Sequence, residues 1–404
     1  MRGARLIDPR RWWERWRAAD PNLRLFFIGI FLLGINNGIL SSTFNNYLND
    51  SFKLSASARG FLEFPRELPG FLIIFVTGAL AAFPMRSWAV LVGLLSAVGV
   101  LGLGFLSPSV GLMSVWMLSW SMADHLFMPV ESGLGLHLAQ AGKQGRRLGQ
   151  ISGWRNMAMI FGSGLVWILA SRTEHRPYAL LYVVAAVVAL GSMAAFWRIH
   201  VPEDAHGRNR RFVWRRRYSW FYWLNILFGA RKQIFLTFAP WVLVTKFGAK
   251  PETMALLIMF ASLAGVVFRQ AFGIVVDKYG ERKMFVADAL ILLVVCGGFA
   301  FTSYLPLLFV LYIVDNLMFA TRIARTTYLN KIAVDKKDIP ATLSLGVTMD
   351  HMVSMTVPAL GGLLWNAYGY HSVFLAASFI AGAVLVVAWQ MAPEDSGPAH
   401  PAQG

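Results

Sequence analysis

Twelve predominantly apolar stretches run through this chain of 404 residues, at roughly 25–48, 57–83, 88–106, 109–136, 149–171, 177–198, 220–246, 252–276, 283–303, 306–330, 340–367 and 371–391. Each is close to or above the ~20 residues that a helix needs to cross a bilayer. No other feature restricts the fold as strongly. Hydrocarbon holds no water to pair a backbone amide, so a segment of this length satisfies its N–H and C=O groups internally, as a helix. Composition agrees: 56% of residues are hydrophobic and 14% charged, against ~25% charged in soluble domains. The fold class expected is an all-α membrane protein with twelve transmembrane helices. The second, fourth and tenth segments carry charges and depart most from a plain apolar span. The first 24 residues are rich in arginine, and the run after them is too long for a signal-peptide core, so no cleavable signal is expected.

A net charge of +16 raises the question of a nucleic-acid partner, and its distribution answers it. With the N-terminus in the cytoplasm, the inner segments hold 24 Lys and Arg. The outer loops hold 6: Lys53, Arg59, Arg172, Arg176, Lys246 and Lys250. That bias puts both termini in the cytoplasm. The run from Arg208 to Arg217 then reads as an anchor at anionic headgroups, and no nucleic-acid partner is expected. Cys296 is the single cysteine and lies inside the ninth segment, so no disulfide framework exists. The chain contains no Walker A, HExxH or GxSxG motif and no paired-cysteine metal site. No enzyme activity, cofactor or metal is expected.

The longest polar stretch, Arg198 to Ser219, divides the segments six and six. The domain reading is a cytoplasmic N-terminal segment 1–24, a six-helix bundle 25–198, a basic linker 199–219, a second bundle 220–391 and a disordered cytoplasmic tail 392–404. The halves align weakly but in order. At an offset of 195 residues, the stretch beginning Gly34-Ile-Asn36-Asn37 falls on Gly229-Ala-Arg231-Lys232, and Gly78 falls on Gly273. At an offset of 191, Asp124 falls on Asp315 and Glu131 on Arg322. Between the eighth and ninth segments stands Gly273-Ile-Val-Val-Asp277-Lys278-Tyr-Gly280-Glu-Arg282-Lys283, read as a short polar hairpin. In spacing and residue type it resembles the loop signature of the major facilitator superfamily of secondary transporters.

The resemblance implies two parallel six-helix repeats and alternating access, a bacterial inner-membrane location, a monomer, and a small-molecule substrate. Helices 1, 4, 7 and 10 would line the central cavity, helices 2, 5, 8 and 11 would join the halves, and helices 3, 6, 9 and 12 would face lipid. With no ATP-binding motif, transport is expected to run on a gradient, with protons as the coupling partner. The Gly273, Asp277, Lys278, Gly280, Arg282 and Lys283 set is the gate motif. The first half departs from it, with Ala82 at the place of Asp277. Pro358-Ala-Leu-Gly361-Gly362 in segment 11 resembles the proline–diglycine element that drug antiporters carry in segment 5, where this chain has no proline.

A charge at mid-bilayer costs ~2.5–3.5 kcal/mol on insertion scales, so it should meet a partner or a water-filled path. The segments hold seven acids (Glu63, Glu67, Asp124, Glu131, Asp288, Asp315, Asp350) and seven bases (Arg66, Arg155, Arg231, Lys232, Arg269, Arg322, Arg325). On the cavity helices the candidates are Asn37 and Asn45; Asp124, His125 and Glu131; Arg231 and Lys232; and Asp315, Arg322 and Arg325. The i, i+4, i+7 spacing sets Asp124, Met128 and Glu131 on one face, and Asp315, Arg322 and Arg325 are read the same way. Four bases against Asp315 make a cationic wall suited to a carboxylate or phosphate. Asp124, Glu131 and Asp350 are the proton-coupling candidates. Glu63 and Arg66 read as an intrahelical pair; Arg155, Arg269 and Asp350–His351 read as bridges between halves. The expected function is secondary transport of a small polar or anionic organic solute. A lipophilic-drug exporter is the second reading, and a membrane-embedded solute sensor on a transporter scaffold the third.

Overall fold

The computed structural model describes residue 14 and residues 16–79, 83–140, 143–173, 176–200 and 213–391. Ala82, most of the expected N-terminal segment, linker residues 201–212 and the tail 392–404 lie outside the described residues. The helices are α1 (Pro21–Phe52), α2 (Ala56–Phe61), α3 (Glu63–Ala79), α4 (Met85–Phe105), α5 (Val110–His137), α6 (Gln144–Ala170) and α7 (Tyr178–Trp197). They continue with α8 (Ser219–Thr245), α9 (Pro251–Tyr279), α10 (Glu281–Phe301), α11 (Leu305–Met318), α12 (Arg322–Ile332), α13 (Asp338–Tyr368) and α14 (Tyr370–Gln390). Among the described residues they form the twelve expected segments, two of them broken. Segment 2 breaks at Leu62 into α2 and α3; segment 10 breaks at the 3-10 turn Phe319–Thr321 into α11 and α12.

Local chemistry sets these boundaries. Asp20 caps α1 by accepting from the amides of Asn22 and Leu23 at 2.7 and 3.1 Å, pairing donors that a helix start leaves free. Ser55 and Ser109 do the same for α2 and α5. The expected polar hairpin is a correction: α9 runs through Asp277 and Lys278 to Tyr279, and α10 starts at Glu281. Gly280 alone separates them, at φ +82°. Gly369 makes the same one-residue junction between α13 and α14, also at φ +82°. A side chain at either place would be strained, because Cβ crowds the backbone in this region.

The chain forms two compact units. Unit 1 comprises Met1–Tyr47, Phe75–Arg208 and Pro251–Ser262; unit 2 comprises Leu48–Ile74, Asn209–Lys250 and Leu263–Gly404. The division in the linker follows the six-plus-six reading, while the start of segment 2 joins unit 2 and the start of segment 8 joins unit 1.

In unit 1, α4 packs on α5 and α7, and α1 crosses α6 at two glycines. A Cβ on Gly38 would stand 2.6 Å from the Met159 carbonyl and 3.1 Å from the Cα of Gly162. At that approach Ser42 and Ser163 hydrogen-bond at 3.1 Å. Asn36, 1% exposed, ties α1 to α7 through the Ala185 carbonyl at 3.0 Å and accepts from Ser96 at 3.2 Å.

In unit 2, α10 packs on α14, and α13 packs on α8 and on α2. The α2–α13 contact is as close as backbones allow. A Cβ on Gly60 would lie 2.1 Å from the Pro358 carbonyl oxygen, and one on Gly362 would lie 2.5 Å from that of Ala56. Thus the proline–diglycine element of segment 11 serves here as the bed for α2.

Gly60→Ala should therefore destabilise the protein, by about 1–3 kcal/mol for a methyl driven into packed backbone. Gly297→Ala in α10, where nothing lies within 4 Å of a new Cβ, should be neutral or stabilising. Thermal unfolding of both variants in detergent checks this. Equal melting temperatures would mean that the α2–α13 contact gives way without cost.

Candidate functional site

The buried charges gather into clusters, and each is built from helix faces. In unit 1, α5 and α6 bring Glu131 and Arg155 together at 2.8 Å, with the carboxylate side buried and the guanidinium half exposed. The bridge expected between halves for Arg155 is therefore a bridge within the first half. His125 is buried and donates from Nδ1 to the Ser121 carbonyl one turn earlier at 2.8 Å. Asp124, Asn37 and Asn45 are half-buried. Met128 is exposed while Glu131 is buried, so the spacing that set them on one face did not set them in one environment.

The first cluster in unit 2 lies where α2 and α3 meet α8 and α13. Glu63 is fully buried and accepts from Arg59 and from Arg66, both at 2.5 Å. Gln233 of α8 donates to the same carboxylate at 2.8 Å. Arg66 also meets Glu67 at 3.1 Å, and Glu67 accepts from Nδ1 of His351 on α13 at 2.9 Å. The sequence reading of Glu63–Arg66 as an intrahelical pair holds but is too small. Arg59, assigned to an outer loop by the charge count, is 2% exposed. Its i, i+4 spacing to Glu63 was the available signal; the reach to Gln233 and His351 had none.

The second cluster surrounds the break in segment 10. Arg231 on α8, 1% exposed, pairs with Asp315 on α11. Arg325 on α12, 5% exposed, donates to Asn225 at 3.2 Å and lies 3.5 Å over the Phe228 ring. Lys232 and Asp350 pair at 2.6 Å. The expected cationic wall is thus corrected. Arg231 and Lys232 are each matched by a carboxylate, Arg325 by an amide and an aromatic face, and Arg322 is the exposed member. The physical reason is the 3-10 turn, which shifts the angular register after Thr321, so Asp315, Arg322 and Arg325 do not share one continuous face.

The gate motif divides its tasks. Asp277, Lys278 and Lys283 are exposed. Arg282 donates to the carbonyls of Ala388 and Trp389 at 3.2 and 3.0 Å, capping the end of α14 where a cation suits the helix dipole. Lys331 pairs with the buried Glu281 at 2.6 Å. At the end of the linker, Arg215 donates to Asp338 at 2.6 Å. That hydrogen bond, aided by the carboxylate charge, holds the Arg215 guanidinium above its ordinary pKa.

Glu63→Gln removes the carboxylate that two guanidiniums share, and breaking a buried ion pair on one side costs about 3–5 kcal/mol. Arg215→Ala removes an exposed partner, screened by solvent, and should cost far less. Chemical denaturation of the two variants side by side checks the ranking; equal losses would deny the first cluster a structural role.

A sequence model described as Major Facilitator Superfamily matches residues 26–333 and 221–403. The multi-drug resistance efflux pump PmrA of Streptococcus pneumoniae serotype 4 is 29% identical over 166 residues, 39% of this chain and 40% of the pump. The chain thus matches about two fifths of the length of that relative. Multidrug resistance protein 2 of Bacillus subtilis strain 168 is 24% identical over 293 residues, 67% of this chain and 70% of that protein. Among solved structures, a mutant of the nucleoside transporter NupG superposes with a TM-score of 0.75 at 14% identity, covering 92% of this chain and 98% of the other. A D-xylose–proton symporter gives 0.65 at 17% identity, covering 92% and 97%. These structural likenesses concern the fold.

Proposed function

The chain belongs to the Major Facilitator Superfamily, and from that premise we propose that it is a proton-coupled secondary transporter of a small organic solute bearing a carboxylate, a phosphate or a comparably polar group. Family and fold make it a membrane transporter. The observation that carries the substrate class is Arg322. It lies past the middle of the 28-residue stretch Leu305–Ile332 and is exposed. A guanidinium at that depth is too costly to face lipid and belongs on a water-filled path, where it is free to bind a planar anion bidentately. The buried Arg231 and Arg325 and the half-buried Lys232 already hold partners, so the recognition charge is one arginine and not four.

Proton coupling draws on the paired carboxylates. Glu131 holds Arg155 and Asp350 holds Lys232, so a proton on either acid releases a base, which is how protonation changes a structure. Asp124, half-buried on α5, is the third carboxylate in this reading. We place both termini in the cytoplasm and the gate motif at the inner surface, with Asp277 as its clamp.

The likeness to a multi-drug resistance efflux pump and to a multidrug resistance protein favours a second reading, export of lipophilic compounds. A thermal-shift panel of monocarboxylates, sugar phosphates, nucleosides and ethidium on the purified protein separates the two. The first reading expects stabilisation by an anionic member. Arg322→Ala should weaken that binding roughly ten- to a hundredfold, the ~1.5–3 kcal/mol of a hydrogen bond to a charged group, with partial recovery in Arg322→Lys. Stabilisation by ethidium alone, unchanged in Arg322→Ala, would establish the second reading instead.

The gate is tested separately. Asp277→Asn should shift the population towards the inward-open state, read as faster labelling of cysteines placed at cytoplasmic positions. Unchanged labelling in a folded variant leaves the motif with topogenic and capping roles only.

A further inference from the structure

The second cluster holds a carboxylate that the transport reading does not use. Asp288 on α10 is 5% exposed. Its Oδ1 lies 2.7 Å from the neutral hydroxyl of Thr321, whose single proton is shared with the Met318 carbonyl at 2.6 Å. An ionised carboxylate offers about four acceptor sites, so Asp288 is under-satisfied. The groups around it are under-satisfied too. Arg231 Nη2 and Arg325 Nε are buried N–H donors without a hydrogen-bond partner. Both side chains line, with Asp288 and Thr321, one cavity of about 10 Å³, close to the room of a single water molecule.

The elements packed around Asp288 define its electrostatics. Arg231 comes from α8 and Arg325 from α12; Asp315, on α11, already holds Arg231. The last helix, α14, contributes Ala381 and Val384 to the cavity, and α8 adds Leu224 and Phe228. Around the cavity Arg231 and Arg325 balance Asp288 and Asp315 when both acids are ionised, and the Lys232–Asp350 pair of the same cluster balances itself. A water in the cavity has donors on the guanidiniums and an acceptor on Asp288, which is the polar company a buried water requires.

We propose that this cavity is a proton-binding site within unit 2, with Asp288 as the group that takes and returns the proton. The step is the addition of one proton from water to a carboxylate oxygen, giving the neutral acid, and its return to water on release. Its two states differ in what they ask of the surroundings. The ionised acid accepts from Thr321 and, through the cavity, from the orphan guanidinium N–H groups. The neutral acid gives up that claim and becomes a donor, leaving Arg231 to Asp315 alone. Asp288 stands on segment 9, which the family layout turns to lipid, while Arg231, Thr321 and Arg325 come from segments 7 and 10, so the carboxylate lies outside the expected substrate helices and its partners lie on them. The proposal rests on the proton-coupled reading for its use, and its test needs no substrate.

Infrared difference spectra of the protein in liposomes, recorded on lowering the pH, report carboxylic-acid C=O bands directly. A band present in the wild type should be missing in Asp288→Asn, present in Asp315→Asn, and restored in Asp288→Glu. Thr321→Val keeps the shape but removes a donor to the ionised form, and should move the pH at which the band appears upward. Far-UV circular dichroism confirms folding, and if Asp288→Asn does not fold, the Thr321→Val shift decides the matter. A wild-type band that survives in folded Asp288→Asn, disappears in Asp315→Asn, or is unmoved in Thr321→Val overturns the assignment. Transport independent of a pH gradient, with the band still lost in Asp288→Asn, would defeat proton coupling and leave the proton site standing.

Discussion

A charge carried into the interior of a membrane protein has to be met by its own chain, because neither water nor lipid will meet it. Much of the structure follows from that requirement. Among the described residues, seven segments are long and apolar enough to be recognised as spans. The others, α2–α3, α5, α6, α8 and α13, hold most of the embedded charge, and they are the helices whose charged faces touch. Arg59, Glu63, Arg66, Glu67 and His351 could not each be buried singly at several kcal/mol per ion; together they form a connected set. The same logic explains why Arg231 and Asp315 occupy one place: removing either leaves the other as an uncompensated ion.

Such pairing needs helices that come closer than ordinary side chains permit. Small residues supply the approach, as in membrane helix packing generally. Gly38 against Gly162 lets Ser42 reach Ser163, and Gly60 against Pro358 holds α2 to α13 beside the Glu67–His351 contact. Close backbones and paired charges are thus two parts of one arrangement. A hydrogen bond of 2.5–2.9 Å has little tolerance, so the glycine contacts fix the helix spacing within which these bonds form.

Helix number and order were legible because the bilayer imposes a length, and length survives in composition. The pairing of charges was legible only in part. Spacing says which residues share a helix face, as for Glu63 with Arg66, but not how that helix is rotated against its neighbours. Hence Asn36, not Asn37, became the tie to α7, and Arg155 met Glu131 in its own half. The charge count placed Arg59 in an outer loop although segment 2, read as 57–83, already contained it and Ser55 is a good N-cap. Nothing in the stretch Met318-Phe-Ala-Thr321 signals a 3-10 turn, so the face shared by Asp315, Arg322 and Arg325 was an extrapolation of ideal helix geometry. The motif around Asp277 was read as a hairpin since its polar residues look like a loop, yet one glycine at φ +82° is enough to turn the chain.

That 3-10 turn joins two otherwise separate features. Thr321, whose hydroxyl holds Asp288, ends it; Arg322, the exposed cation, follows directly and starts α12. A change in what Asp288 requires of Thr321 is therefore one peptide away from the group proposed to meet the substrate. A 3-10 stretch within a helix is a common place for a hinge, since its hydrogen bonds are poorer than those of the α-form. The coupling available through this route is bounded by the difference in hydrogen bonding between the two states of the acid, on the order of 1–3 kcal/mol. That equals a shift of roughly five- to a hundredfold in a two-state population and lies in the range of measured coupling between sites. By reciprocity, an anion drawn to Arg322 changes the proton affinity of Asp288 by the same factor. The buried acid and the exposed base need not touch for one to sense the other, provided the turn between them has two arrangements.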